Sequence, residues 1–179
     1  MIETEVKIRV AEAGAARAAL SALGATCVRP RCFEDNLLLD DAAGSLRGSG
    51  SLLRLRRTPE QTVLTFKGPC LPDESVKSRE EIEASVADAA AIQAILERLG
   101  LRPVFRYQKY RETWVWKDVE IVVDETPIGT FLEIEGSKQG IHGAAAALGH
   151  GPEELLTTSY AGLFWAAGGQ GDMVFGSDG

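Results

Sequence analysis

Along much of this chain, apolar and charged residues alternate one for one. In IETEVKIRV the apolar set is Ile2, Val6, Ile8 and Val10, with Glu3, Glu5, Lys7 and Arg9 between them. Successive side chains of an extended strand point to opposite faces, so the two sets occupy opposite sides of one strand. The alternation returns with Arg54 and Arg56 in SLLRLRR, Lys67 in TVLTFKG, and Arg79, Glu81 and Glu83 in SREEIEASV. It returns again with Lys109 and Arg111 in RYQKYRET, Asp124 in IVVDE, and Glu133 and Glu135 in FLEIEG.

The pattern predicts eight strands, near 2–10, 32–40, 50–57, 61–67, 78–86, 104–116, 119–125 and 130–136. Turn-forming connectors such as Thr58-Pro59-Glu60, Lys117-Asp118 and Pro127-Ile128-Gly129 join several of them tightly, which predicts antiparallel neighbours. Helical spacing interrupts the series at 11–23, stopped by Gly24, and at 88–99, with Asp88 as N-cap and Gly100 as stop. Further helix is expected over 141–148 and 152–167. Residues 1–167 read as one domain, 168–179 (GGQGDMVFGSDG) as a flexible tail, and the loop 68–77 as a mobile surface segment.

Where the charged faces point is the central question. A sheet often turns one polar face to water. Yet these faces carry Glu, Arg and Lys rather than the usual mixture with Thr, Ser and Gln. The ExE pair also occurs three times, at Glu3/Glu5, Glu81/Glu83 and Glu133/Glu135, and adjacent like charges repel unless a cation neutralises them. Eight antiparallel strands suffice to close a barrel, which would turn the charges inward and place the apolar faces outside, under the helices. Carboxylates without histidine or thiolate suit hard divalent cations, Mg²⁺ or Mn²⁺, while Arg and Lys clamp phosphate oxygens. A polyphosphate with its metal satisfies both signs at once.

Composition removes competing classes. The 179 residues are 45% hydrophobic and 25% charged, ordinary values for one globular domain. No apolar run approaches the roughly 20 residues of a membrane span, and no signal peptide is recognisable, so no membrane association and a cytoplasmic location are expected. Cys27, Cys32 and Cys70 form no CxxC pair and read as reduced thiols. The two histidines, His142 and His150, lie in a Gly/Ala-rich stretch, which disfavours a His-based metal site or triad. A net charge of −7 argues against nucleic-acid binding. None of the 19 bases follows Lys138, so the basic residues concentrate in the alternating strands. Trp114 and Trp116 have the parity opposite to Lys109 and Arg111 and are expected to pack under a helix. Trp165 is expected to pack as well, although its helix could cap the barrel. Glu34 and Asn36 share a face that fits either the interior or the surface.

The ordered set ETEVK, LLRLR, LTFKG, REEIE, KYR, VVDE and FLEIE, followed by a C-terminal helix near SYAGLF, resembles the CYTH family, the triphosphate tunnel metalloenzymes. That family includes class IV adenylate cyclases, thiamine triphosphatases and inorganic triphosphatases. The resemblance implies an α+β fold: a closed eight-stranded antiparallel tunnel with a charged interior and helices outside, binding a triphosphate with one or two Mg²⁺ or Mn²⁺ ions. Carried over by position, Glu3, Glu5, Glu81, Glu83, Asp124, Glu133 and Glu135 are its metal-side acids. Lys7, Arg54, Arg56, Lys67, Arg79, Lys109 and Arg111 are its triphosphate-binding bases, with Arg9 a further candidate and Lys67 the catalytic one. Some members add a base from the C-terminal helix, which this chain lacks. The substrate implied is a nucleotide, thiamine triphosphate or tripolyphosphate, and a homodimer remains open. A triphosphatase, a class IV cyclase and a non-catalytic polyphosphate or nucleotide sensor all remain open, the first preferred because it demands the fewest specialised features.

Overall fold

A computed structural model describes residues 1–73 and 75–176. Its eight strands are β1 (Ile2–Val10), β2 (Thr26–Asp40), β3 (Leu52–Arg57), β4 (Thr62–Cys70), β5 (Lys77–Val86), β6 (Arg102–Trp116), β7 (Val119–Thr126) and β8 (Gly129–Glu135). The helices are α1 (Ala13–Leu23), α2 (Ser45–Gly48), α3 (Ala89–Arg98), α4 (Lys138–Ala147) and α5 (Tyr160–Ala166). The strands close into a ring in the order β1-β5-β4-β3-β2-β6-β7-β8, every pairing antiparallel. The expected fold is therefore the observed one. Among the described residues, no helix is long and apolar enough to cross a membrane.

Ring closure inverts the usual arrangement of a small protein. The main apolar core lies outside the barrel, where Val6, Ile8, Ile121, Val123, Leu132 and Ile134 meet Leu20 of α1 and Ile141 of α4. A second cluster, Leu37, Leu39, Leu55 and Leu96, packs α3 on the outer wall. Trp114 belongs to the first cluster and Trp116 packs against it, as expected. The helices are set by local chemistry: Asp88 Oδ1 accepts from the amides of Ala90 and Ala91, and Gly24 ends α1 at a φ of 81°, where a side chain would be strained.

Three boundaries differ from the sequence expectation. Strand β2 begins at Thr26, because register shifts on either side of Arg29 absorb Pro30, and β4 continues through Pro69 across a similar shift. Bulges are where a sheet tolerates a residue without an amide donor. The helix expected over 152–167 is broken: a short 3₁₀ turn at Pro152–Glu154 gives way to extended chain, and Ser159 then caps α5 by accepting from Gly162 N.

That extended piece has a task. β1 pairs with β5 only through Glu5, and the exposed edge beyond is taken by Leu156, whose backbone exchanges hydrogen bonds of 2.7 and 2.8 Å with Lys7. The expected loose tail is likewise docked as far as Phe175, whose N donates to Gln108 Oε1 at 3.2 Å; residues 177–179 lie outside the described residues. Met173 N donates to Arg106 O and Gln108 N to Met173 O, both at 2.9 Å, along the part of β6 that β7 leaves unpaired. Met173 is only 1% exposed and packs with Phe105, Tyr107, Phe131 and Tyr160, so buried apolar area holds this segment down. Met173→Ala is expected to cost about 2–5 kcal/mol in urea denaturation, the range for a truncated buried side chain; a loss below about 1 kcal/mol would show the tail to be dispensable.

Candidate functional site

The inward positions of the strands line one cavity of about 240 Å³. A water's share of liquid is about 30 Å³, so the space is ample for a chain of phosphates. Thirteen of the expected residues line it: Glu3, Glu5 and Lys7 from β1, Arg54 and Arg56 from β3, Lys67 from β4, Arg79, Glu81 and Glu83 from β5, Lys109 and Arg111 from β6, and Glu133 and Glu135 from β8. One face of each strand thus reaches one space, as strand alternation and ring closure require.

The charges are paired with little slack. Glu5 Oε1 accepts from Lys7 Nζ at 2.8 Å and from Lys77 Nζ at 2.5 Å, and Lys7 also meets Glu133 at 2.8 Å. Lys67 Nζ lies 2.6 Å from Glu3 and 2.5 Å from Glu81. Arg54 and Arg56 both donate to Glu83 Oε1, at 3.3 and 3.4 Å. Two groups stand apart. Arg79 is 8% exposed and, among the described residues, has no carboxylate within ion-pair distance. Glu135 likewise has no cation paired to it; burial, then the neighbouring Glu133 carboxylate, pushes its pKa up to about 9. Burial, then a hydrogen bond shared with Glu3, pushes Glu81 up to about 7.

Two expected residues do not line the cavity. Arg9 has the inward parity but lies at the end of β1, where Nη1 donates to Ile128 O at 2.8 Å and the guanidinium sits 4.6 Å from the Phe131 ring centroid. Asp124 is fully buried behind the bases rather than among the cavity acids. It accepts from Lys109 Nζ at 2.9 Å, from Arg111 Nε and Nη2 at 2.7 and 2.6 Å, and from Tyr160 Oη at 2.7 Å. Its position is that of an anchor for two cavity cations. Tyr160, the first residue of α5, also reaches the bases: its ring centroid is 5.2 Å from both Lys7 Nζ and Lys109 Nζ.

Sequence reasoning missed Lys77, although it shares the parity of Arg79 and Glu81 one position pair earlier; the loop assigned to 68–77 hid it. Glu34 and Asn36 prove to be interior. Burial alone would raise the Glu34 carboxyl, but Lys109 and Arg111 bring it down to about 2. Asn36 is wholly buried with neither amide atom paired. Tyr107 and Tyr160 carried no sequence signal, since aromatic residues at those positions read equally as core.

One carboxylate oxygen from each of Glu3, Glu5 and Glu135 falls within a 4.8 Å cluster. An all-oxygen donor set fits a hard divalent cation, and such an ion would also neutralise Glu135, which pairs with no cation among the described residues.

The family model of the CYTH domain matches residues 1–148. A protein of Methanocaldococcus jannaschii, named provisionally as an adenylate cyclase, is 29% identical over 143 residues, 79% of this chain and 81% of that one. A Vibrio parahaemolyticus structure with the same provisional name superposes with a TM-score of 0.79 at 18% identity, over 90% of this chain and 96% of that one. A Hippeastrum protein, described as a provisional adenylyl cyclase with a dominant triphosphatase activity, superposes with a TM-score of 0.66 at 21% identity, covering 94% and 97% of the two chains.

Proposed function

This chain belongs to the CYTH domain family, and from that premise we propose that it is a divalent-metal-dependent triphosphatase acting on a triphosphate held in the charged cavity. The observation that carries the reading is the unbalanced pair within an otherwise paired interior. Among the described residues Arg79 has no carboxylate and Glu135 no cation within ion-pair distance, so a polyanion at Arg79 arriving with a divalent metal at Glu135, beside Glu3 and Glu5, completes both. The dominant triphosphatase activity described for the Hippeastrum protein supports the choice of hydrolysis.

In this reading Glu3, Glu5 and Glu135 hold Mg²⁺ or Mn²⁺, which supplies Lewis acidity toward phosphoryl oxygens. Arg54, Arg56, Arg79, Lys109 and Arg111 grip the phosphate oxygens and keep the chain extended; Lys7 and Lys77, held by Glu5, steady the cluster. Lys67, fixed between Glu3 and Glu81, donates to the oxygen on which charge grows as water attacks the terminal phosphorus and the bridging P–O bond breaks.

The names of several relatives favour a second reading, attack by a ribose 3′ hydroxyl on the α-phosphorus of ATP with release of pyrophosphate. Incubation with ATP, tripolyphosphate and thiamine triphosphate in Mg²⁺ or Mn²⁺, followed by separation of phosphate, pyrophosphate and cyclic AMP, distinguishes the two. Phosphate release that stops in EDTA is the expected result. Cyclic AMP as the main product would establish the cyclase, and binding without turnover the sensor.

Arg79 gives a sharper check. Because no acceptor among the described residues depends on it, Arg79→Ala should leave the melting temperature of the ligand-free protein nearly unchanged. It should weaken tripolyphosphate binding about tenfold to a hundredfold, the value of a hydrogen bond to a charged group. A destabilised variant that binds as well as the parent would assign Arg79 a structural role instead.

A further inference from the structure

Strand β2 places one acid in the barrel wall that the reading above leaves without a task. Glu34 lies opposite Lys109 in the β2–β6 register, and two positions along the same face Asn36 lies opposite Arg56 of β3. Direct and diagonal neighbours on one face of a sheet are within reach of each other's long side chains. The Glu34 carboxylate accordingly ends between two of the phosphate-gripping bases, 3.8 Å from Arg56 Nη1 and 3.6 Å from Lys109 Nζ.

Its contacts differ in kind from those of Asp124, the other buried acid beside these bases. Asp124 holds Lys109 and Arg111 through hydrogen bonds of 2.6 to 2.9 Å, which fix where both cations point. The two contacts of Glu34 are too long for hydrogen bonds, and its buried Oε2 has no hydrogen-bond partner among the described residues. Glu34 also stays charged at any working pH, because burial raises its pKa but Lys109, then Arg111 and Arg56, bring it down to about 2. An ionised carboxylate that orients neither neighbour acts on both through charge alone. Phosphate oxygens gripped by Arg56 and Lys109 share those cations with it, and like charges several ångströms apart still repel at the effective dielectric of about 20 that suits protein sites.

We propose that Glu34 sets the affinity of the cavity, as a built-in counter-anion that competes with the ligand's phosphates for Arg56 and Lys109 and so limits how tightly polyphosphate is held. It touches no phosphate itself and acts through the two bases. Resting on the triphosphate reading above, this gives the site a means of release. Pyrophosphate, left when tripolyphosphate loses its terminal phosphate, departs from cations that already have a replacement anion in place.

The test is calorimetric titration, in EDTA so that metal-dependent turnover is absent, of tripolyphosphate and of pyrophosphate into the parent and four variants. Glu34→Gln keeps the shape and removes the charge, Glu34→Ala removes both, and Glu34→Asp keeps the charge on a shorter stem. Glu97→Gln, at an exposed position of α3, controls for net charge. Circular dichroism of each variant verifies the fold. Glu34→Gln and Glu34→Ala are expected to bind both ligands about tenfold more tightly than the parent, while Glu34→Asp and Glu97→Gln stay within about threefold of it. A structural role for Glu34 predicts the opposite sign, since bases left disordered grip phosphate more weakly. Unchanged or weaker binding by the charge-free variants, beside a parent that binds tripolyphosphate, overturns the counter-anion and leaves the triphosphate reading intact. Failure of the parent to bind tripolyphosphate removes both.

Discussion

Asp124→Ala is expected to destabilise the ligand-free protein by about 3–5 kcal/mol, the cost of stripping a buried charge network of its anion. The carboxylate has no exposure and takes four hydrogen bonds, three from Lys109 and Arg111 and one from Tyr160. Its loss leaves two cations facing Glu133 and Glu34 alone, so Asp124→Asn, which keeps the shape, should recover little of the stability. Urea denaturation beside Arg98→Ala, an exposed change on α3, measures the effect. The same variant should be stabilised more than the parent by tripolyphosphate, because the ligand then supplies the anion that Lys109 and Arg111 lack. A cost below about 1 kcal/mol would mean that Asp124 does not anchor them.

Glu135→Gln is expected to lower metal-dependent turnover about a hundredfold or more, since changes even one shell outside a metal site often cost 10–100-fold. Stability should move the other way. With its pKa raised from 4.5 to about 9, first by burial and then by Glu133, Glu135 holds its proton more tightly folded than unfolded. That contribution is complete below about pH 4.5 and is lost as pH rises toward 9. A permanently neutral glutamine avoids the loss, so the metal-free variant should melt progressively above the parent as pH is raised from about 5 to about 9, and Mg²⁺ should close the gap by stabilising only the parent. Parallel pH profiles in EDTA would contradict this.

Much of this architecture is written in strand parity. Glu5, Lys7, Lys67, Arg79 and Glu133 could be placed on one inner surface before any coordinates, because a two-residue period survives in every strand that closes the ring. Parity says which face a residue takes and not how far along the barrel it lies. For that reason Arg9, correct in parity, ends beside Ile128 outside the cavity, and Asp124 ends behind the cations instead of beside the metal-side acids. Nor does an outward position imply water. Glu112 faces out but is buried beneath α1, bonded to Arg17 at 3.0 Å and to Trp114 Nε1 at 2.8 Å. The segment beyond residue 148 was the least legible, since its role is to complete two open strand edges with Leu156 and Met173. Edge-filling depends on where distant strands stop, which no local pattern records. Pro30 and Pro69 lie just outside the strands expected at 32–40 and 61–67, whereas bulges let β2 and β4 run past them.

The central claim is that the inward charges form a triphosphate site, and ligand-induced stabilisation tests it most directly. Thermal melts of the parent, of Lys67→Ala and of Arg98→Ala, each with and without tripolyphosphate and Mg²⁺, compare one cavity cation with one surface cation. At a ligand concentration a hundredfold above its dissociation constant, the parent and Arg98→Ala should gain about 2.7 kcal/mol, and Lys67→Ala only a small part of it. Equal stabilisation of all three proteins, or none in the parent, would contradict the account and leave the barrel's interior as a self-neutralised network without a triphosphate to hold.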